Sequence, residues 1–338
     1  MSWVVWRQYR AAAAITAALV AAFAALIVVT GVQAASQWHS ALSVCTASRT
    51  CGNLSGTLFL GSHTIGFLVI MTLGVPAVLG ILAGAPLLAH EFETGTNLYA
   101  WTQSVTRRHW LAVKAGWLLL AAAAIGGIVS ALVTWWSGPN NALQANAFDP
   151  GRFDIMGVVP VGYAVFGTAL GITAGALLRR TLPAIAVTLA GFITVRAVIF
   201  LVLRRSFMTA VTSYFPIGSG FTPAGSAWQL TSGFVGANGQ PISIPQSTNA
   251  QVLGTGVEGI PVTSLPAQCQ AAAGNGPFTR ATYHAVVSCA QAHGIRGYVT
   301  YQPASRYWAF QGIETGIFLL LAAALIAVAF AVVSRRDA

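Results

Sequence analysis

Residues 308–333 decide the fold, and they read WAFQGIETGIFLLLAAALIAVAFAVV with Glu314 as the one charged residue. A helix needs about 20 consecutive apolar residues to cross the hydrocarbon core of a bilayer, so this segment predicts a membrane span. Five earlier segments meet the same requirement. They are residues 11–32, 65–89, 110–136, 155–178 and 182–203. The pattern therefore predicts an all-α polytopic membrane protein with six transmembrane helices.

The composition agrees with this fold class. Of the 338 residues, 7% are charged and 56% are hydrophobic, and the mean hydropathy is +0.70. Soluble domains carry roughly 25% charged residues, so an ordinary cytosolic enzyme and a disordered chain are excluded. The formal net charge is +10, but the basic residues sit in ones and twos at the ends of apolar runs. That distribution is typical of membrane proteins and argues against binding to nucleic acid.

The short loops set the predicted orientation. Basic residues concentrate on one side of the membrane, which the positive-inside rule assigns to the cytoplasm: Arg7, Arg10, Arg107, Arg108, Lys114, Arg179, Arg180, Arg335 and Arg336. Both termini are therefore predicted to be cytoplasmic, in the plasma membrane of a bacterium. Arg204 and Arg205 oppose this assignment, but they begin a long segment, for which the rule weakens. The first apolar run is longer than that of a signal peptide, which predicts a retained span.

Residues 204–307 are predicted to form a small extracytoplasmic α+β cap between spans five and six. The domain organisation is then spans one to five in 1–203, the cap in 204–307, and span six with its tail in 308–338. The chain's four cysteines all fall in predicted outer segments, where disulfides persist: Cys45, Cys51, Cys269 and Cys289. Three pairings are open, and sequence proximity favours Cys45–Cys51 and Cys269–Cys289. The cap either serves substrate release or partner contact, or only stabilises the bundle.

Sequence motifs for catalysis are absent. Lys114 is the only lysine and lies outside any G-x-x-x-x-G-K-[ST] pattern, so the chain cannot bind and hydrolyse ATP by itself. There is no H-E-x-x-H and no G-x-S-x-G, and the cysteines lack paired Cys-x-x-Cys spacing. We therefore predict no catalytic residue, no metal site and no bound cofactor.

The loop after the second span is the most informative segment. Gly95 ends the helix that carries Glu91 and Glu93, residues 96–103 can form short helical turns, and Arg107 opens the next helix. A short charged helix joined rigidly to two spans could transmit movement from a soluble partner. A plain helix–helix connection with interface arginines is the alternative.

The stretches GAPLLAHEFETGT (84–96), AWTQSVTRR (100–108) and YQPASRYWAFQ (301–311) resemble permease subunits of ABC-2-type ABC transporters from actinobacteria. The resemblance implies that loop 90–109 contains the coupling helix that docks on an ATPase subunit. The residues implied in coupling are Glu91, Glu93, Gly95, Thr96, Trp101, Gln103, Arg107 and Arg108. The resemblance also implies two permease subunits and two separate ATPase subunits, which bind ATP and Mg²⁺. The short N-terminal segment and the long cap depart from the family pattern.

Charged residues inside the spans need partners. A lone charge in a bilayer is costly, and Arg196 lies at a depth similar to that of Glu314. We predict an Arg196–Glu314 pair, with Asp154 as the rival partner, and we prefer a structural clamp over a substrate route as its role.

Glycines repeat along the fourth span at Gly167, Gly171 and Gly175. Such a repeat allows close helix contact within the chain or between subunits.

The first functional hypothesis is the membrane-spanning subunit of an ATP-driven exporter for an amphipathic drug, peptide or lipid. Its partners would be an ATPase subunit, a second copy of the chain and the lipid bilayer, with no nucleic acid. The alternative is a non-transporting receptor or scaffold whose cap binds a partner. A secondary transporter is disfavoured because no internal repeat is visible.

Overall fold

A computed structural model describes residues 2–48, 62–95, 106–137, 148, 150–219, 227–242, 252–253, 260–261, 265–274 and 279–335. Its helices are α1 (Ser2–Ser48), α2 (Ser62–Leu79), α3 (Ala85–Thr94), α4 (Arg107–Trp136), α5 (Pro150–Phe153), α6 (Val159–Leu178), α7 (Thr181–Val198), α8 (Ala267–Ala273), α9 (Arg280–Ala292) and α10 (Tyr307–Arg335). Two π-helical turns interrupt the long helices. Gly80–Gly84 joins α2 to α3, and Ile199–Leu203 follows α7.

Six helical segments of the described chain are long and apolar enough to cross a membrane, as the sequence predicts. In chain order, spans 1 to 6 are Ala17–Gln37, Val69–Thr94, Arg107–Trp136, Val159–Leu178, Thr181–Ser206 and Ala304–Arg335. Span 4 is the most enclosed of the six, and its large side chains Tyr163, Phe166 and Ile172 are almost fully buried. A small sheet accompanies these helices, so the fold is mostly helical with six candidate spans.

The chain divides into two compact units. The membrane unit contains spans 1 to 5 as far as Phe207, and span 6 from Trp308 onwards. The insertion unit is Met208–Tyr307 together with Phe148. The assignment of residues 204–307 to an extracytoplasmic cap stays a prediction.

Spans 2 and 4 approach each other through backbone rather than through side chains. A methyl group added to Gly171 would lie 2.7 Å from the backbone nitrogen of Ala85, and one added to Gly175 would lie 2.6 Å from its carbonyl oxygen. Gly80 faces Gly167 in the same way, with 2.5 Å to that carbonyl oxygen. The glycine repeat is therefore used for helix packing within the chain, where small residues permit close contact.

The insertion unit has a three-stranded antiparallel sheet in the order β1-β5-β2, formed by β1 (Val211–Pro216), β2 (Trp228–Val235) and β5 (Arg296–Gln302). A second pair consists of β3 (Val252–Leu253) and β4 (Ile260–Pro261). Helices α8 and α9 contribute to one apolar core with the sheet: Ile217, Phe234, Leu265, Cys269, Ala273, Val286, Val287, Ala290 and Ile295. This core gives the insertion an interior of its own.

The predicted Cys269–Cys289 disulfide is confirmed, with a Cα–Cα distance of 5.5 Å. It joins α8 to α9 across a sequence separation of 20 residues. The predicted Cys45–Cys51 pairing lies outside the described residues. The observed bond crosslinks two helices whose shared core is small, and loop closure of this length stabilises a fold by about 3 kcal/mol.

The glycine contact predicts opposite effects of one methyl group at two positions. Gly171→Ala should lower the free energy of unfolding by about 1–3 kcal/mol, because the methyl meets fixed backbone atoms. Gly116→Ala in span 3 is the matched control, since nothing lies within 4 Å of the added methyl and alanine favours the helix. Thermal unfolding of the purified protein in detergent measures both. Equal transition temperatures for the two variants would contradict the packing described.

Candidate functional site

The loop implied in coupling is described at its two flanks. Gly95 adopts a left-handed conformation, with φ of 70°, and ends α3. A residue without Cβ adopts this conformation at no steric cost. Thr106 begins the other flank, where its hydroxyl oxygen accepts a hydrogen bond from the backbone nitrogen of His109 at the start of span 3. Three of the implied coupling residues, Thr96, Trp101 and Gln103, lie outside the described residues. We call residues 90–109 the bend.

Glu91 is buried and does not face solvent. Its carboxylate accepts a hydrogen bond from the Nζ of Lys114, and the two side chains are 5% and 4% exposed. The ammonium group also lies 4.6 Å from the centroid of the Trp110 ring. The pair joins the last turns of span 2 to the first turns of span 3. Glu91 is thus a positioning residue for the bend, since its carboxylate is enclosed within the protein.

Glu93 makes a different connection, to the beginning of span 5. One of its carboxylate oxygens accepts from the backbone nitrogen of Thr181 at 3.2 Å and from its hydroxyl at 2.7 Å. A carboxylate at this position satisfies a free N–H group and complements the positive end of the helix dipole. The exposed end of span 2 is therefore bonded to span 5.

The turn between spans 4 and 5 packs on the same region. Arg179 ends span 4 with φ of 52°, the one described non-glycine residue with positive φ, and its guanidinium lies 5.1 Å from the Phe92 ring centroid. A non-glycine residue in this conformation costs about 1–2 kcal/mol. Contacts with Phe92 and the tight connection to Thr181 hold it there, so spans 2, 4 and 5 meet beside the bend.

The two arginines of the bend differ in environment. Arg107 is half-buried at the first position of span 3, whereas Arg108 is exposed. The Nε of Arg108 lies 3.5 Å from the hydroxyl of Ser334 in span 6. Arg108 is the implied coupling residue on this flank that a soluble partner can reach.

A second polar site lies at the opposite ends of spans 4, 5 and 6. It consists of Asp154, Tyr163, Arg196, Arg204 and Glu314, which we call the charge cluster. Four of these side chains are at most 7% exposed. The site contains two carboxylates and two guanidinium groups, so its formal charge is balanced.

Gln311 of span 6 fixes the turn that presents Asp154. Its Oε1 accepts from the backbone nitrogens of Val158 and Val159, each at 3.0 Å, and its Nε2 donates to the Phe153 carbonyl oxygen at 3.0 Å. Gln311 is fully buried. The first orphan N–H groups of span 4 are thereby satisfied by a side chain of span 6, which is the usual requirement at a buried helix start.

Arg204 is the centre of the charge cluster. Its Nε and Nη2 donate to the two oxygens of Glu314 at 2.8 and 2.7 Å, and Nη2 also bonds Asp154. The hydroxyl of Tyr163 donates to Glu314 at 2.6 Å. A two-pronged contact of this kind is the strongest geometry for an arginine and a carboxylate.

Aromatic rings enclose the same guanidinium group. Its central carbon lies 4.5 Å from the centroid of Phe153 and 5.1 Å from that of Phe200. Guanidinium groups stack favourably on such rings when desolvated. Charge, hydrogen bonds and stacking therefore all hold Arg204 inside the membrane unit.

The predicted Arg196–Glu314 pair is not the pair that the structure shows. Arg196 instead donates to Asp154 at 2.7 Å, the rival partner, and Glu314 is bound by Arg204. The physical reason is that Arg204 donates to both oxygens of Glu314. Arg196 bonds Asp154 instead, whose two oxygens accept from the two arginines, one each.

Arg204 is the residue that sequence reasoning missed, because it was assigned to the start of the cap. In a regular helix Arg196 and Arg204 would point about 80° apart, at about 100° per residue. The π-helical turn Ile199–Leu203 lies between them. Such a turn accommodates an extra residue, which brings both arginines towards one face. The available signal in the sequence was the pair of adjacent arginines, Arg204 and Arg205, at the end of an apolar helix.

The bonds within the charge cluster indicate a structural role. Each carboxylate accepts hydrogen bonds from at least one arginine, and the Tyr163 hydroxyl lies within hydrogen-bonding distance of both. Breaking a buried ion pair by removing one partner costs about 3–5 kcal/mol, because the other charge stays buried. The cluster therefore ties the ends of three spans together.

The clamp predicts unequal effects for two neighbouring arginines. Arg204→Leu should lower the free energy of unfolding by about 3–5 kcal/mol, because Asp154 and Glu314 lose their shared partner. Arg205→Leu is the control, because Arg205 is exposed and surface changes stay within about 0.5 kcal/mol. Thermal unfolding in detergent compares them. A similar loss from both variants would mean that Arg204 is not the central partner.

The pair beneath the bend predicts rescue. Glu91→Leu alone should destabilise the protein by about 3–5 kcal/mol, because Lys114 stays buried and loses the Glu91 carboxylate. Adding Lys114→Met should restore most of the loss, since apolar residues of similar size replace buried ion pairs at little cost. The double-mutant cycle is read by thermal unfolding. Additive losses would show that the two residues do not interact.

The family of the chain follows from comparison with known proteins. A family profile described as ABC-2 membrane transporter related matches residues 17–204. The match includes spans 1 to 4, the bend, and span 5 as far as Arg204. No curated protein and no solved structure matches the chain. The profile covers more than half of the sequence, and the chain therefore belongs to the family of ABC-2 membrane transporter related proteins.

Proposed function

We propose that this chain is the membrane-spanning subunit of an ATP-driven ABC exporter. It moves an amphipathic substrate, such as a drug, a peptide or a lipid, across the plasma membrane of a bacterium. Membership of the ABC-2 family and the six candidate spans support a permease. The lack of a G-x-x-x-x-G-K-[ST] sequence supports a separate ATPase subunit.

The proposed assembly has two permease chains and two ATPase subunits, which bind ATP and Mg²⁺. The ATPase docks on the bend, and both termini of this chain lie on that same, cytoplasmic side. Arg108, Arg179 and Arg335 lie at the bend end of the spans, and positive charge favours the cytoplasmic side.

The anchoring of the bend carries this proposal. Glu91 and Lys114 bind span 2 to span 3, and Glu93 binds span 2 to the start of span 5. The helix ends beside the bend are thus tied to neighbouring spans. Movement of the bend by an ATPase would therefore be passed to three spans, as a coupling element requires.

The pairing of charges supports an amphipathic substrate. All four carboxylates that the structure describes, Glu91, Glu93, Asp154 and Glu314, are bound to a cation or to a helix start. These contacts hold the spans together. A path between such spans offers mostly apolar surface, which suits a hydrophobic substrate better than an ion or a sugar.

The coupling role is tested by the ATPase activity of the complex in proteoliposomes. Glu93→Ala removes the bond to span 5 without leaving a buried charge, because Glu93 is exposed. We expect the rate of ATP hydrolysis to fall at least about twofold, the scale on which substitutions that weaken coupling between sites act. Thr94→Val is the matched control on the adjacent exposed position.

Two results would contradict the proposal. In the first, no ATPase subunit co-purifies with the chain, which would favour the alternative of a receptor or scaffold. In the second, an ATPase is present but Glu93→Ala and Thr94→Val hydrolyse ATP at the same rate. That result would remove the bend from the path of coupling.

A further inference from the structure

The insertion unit contains a group of potential metal ligands that the transport function does not use. Cys269 lies in α8, Cys289 lies in α9, and His293 follows the end of α9. The Nδ1 of His293 lies 3.6 Å from the sulfur of Cys269 and 3.7 Å from that of Cys289. One imidazole nitrogen thus faces both sulfurs of the disulfide.

These distances match two edges of a tetrahedral zinc site. Zinc binds thiolate sulfur at about 2.3 Å and imidazole nitrogen at about 2.0–2.1 Å. Tetrahedral angles then place the nitrogen about 3.5 Å from each sulfur and the sulfurs about 3.8 Å apart. Two of the three edges are already formed, and the third requires only that the bonded sulfurs separate.

The histidine is also held in the orientation that a ligand needs. Its Nε2 lies 2.6 Å from the Oε1 of Gln268, which neighbours Cys269 in α8. Metal-binding histidines commonly donate their second ring N–H to such an oxygen, which fixes the ring. In the disulfide form Nδ1 also lies 2.9 Å from the Cys289 carbonyl oxygen, so metal binding would take Nδ1 from that contact.

We propose that reduction of the Cys269–Cys289 disulfide converts this group into a zinc site with Cys269, Cys289 and His293 as ligands. Three protein ligands leave the fourth position to water. While the disulfide is intact, the sulfurs are not thiolates and cannot bind zinc in this way. The site is therefore available only in the reduced protein.

The reductant in this scheme is a dithiol. Its thiolate attacks the sulfur of Cys289, which is partly exposed, whereas Cys269 is fully buried. The disulfide breaks, a mixed disulfide forms, and Cys269 leaves as a thiolate. The second thiol of the reductant then displaces Cys289, and the reductant departs as a disulfide. Zinc binding keeps both cysteines as thiolates and releases their two protons to water.

The sequence alone gives only one sign of this site, the spacing of four residues between Cys289 and His293. Cys269 lies 20 residues before Cys289, whereas zinc motifs are usually recognised from closely spaced pairs. Only the packing of α8 against α9 brings Cys269 to the other two residues. The absence of Cys-x-x-Cys spacing therefore does not exclude a site of this kind.

Cobalt binding to the full-length chain in detergent tests the proposal. Cys45→Ser and Cys51→Ser are introduced first, so that only the two insertion cysteines remain. After reduction with a phosphine and its removal without air, Co²⁺ should give thiolate charge-transfer absorption that saturates at about one equivalent, and Zn²⁺ should displace it. The oxidised form of the same protein should give no such band. This comparison needs no further variant, so misfolding of a mutant cannot obscure it.

Substitutions then identify the ligands. His293→Ala should weaken Co²⁺ binding by at least about tenfold, and Gln268→Leu by about tenfold, as loss of an outer partner does. His284→Ala, on the exposed side of α9, is the control and should bind as tightly as the parent. The proposal is overturned if reduced and oxidised protein bind alike, or if His293→Ala leaves the affinity unchanged. In either case the disulfide serves only as a staple.

Discussion

A charge inside a membrane span must meet a partner, and this requirement shapes the whole membrane unit. Hydrocarbon offers no water to solvate an ion, so an unpaired side chain is expensive there. The structure answers with two sets of contacts at opposite ends of the spans. Glu91 binds Lys114 near the bend, and Arg204 binds Asp154 and Glu314 at the other end. Few charges are present, and each of the four described carboxylates has a structural partner.

Span 5 connects the two ends. Its first residue, Thr181, is bonded to Glu93 beside the bend, and its last turns carry Arg204 into the charge cluster. Span 4 lies beside it and packs on span 2 through glycine backbone, with the π-helical turn Gly80–Gly84 at the point of closest approach. Span 5 thereby links the contacts beside the bend to those of the charge cluster.

The sequence predicted the number of spans because long apolar runs have few other structural uses. It predicted the Cys269–Cys289 disulfide from proximity. It did not predict the partners of charged residues, since these depend on helix rotation. Arg204 entered the membrane unit because a π-helical turn changed its direction, and Glu91 turned inwards to the chain's only lysine. Neither rotation can be read from hydropathy, which registers how apolar a segment is and not which face meets which neighbour.

Site-specific photo-crosslinking of the assembled complex tests the central claim most directly, that an ATPase acts on this chain through the bend. A photoreactive residue would replace Arg108 at the bend or Arg205 at the opposite end, both of which are exposed. The account predicts a crosslink to the ATPase subunit from position 108 and none from position 205. A crosslink from position 205 alone, or an ATPase that remains bound while position 108 reacts only with lipid and solvent, would contradict it.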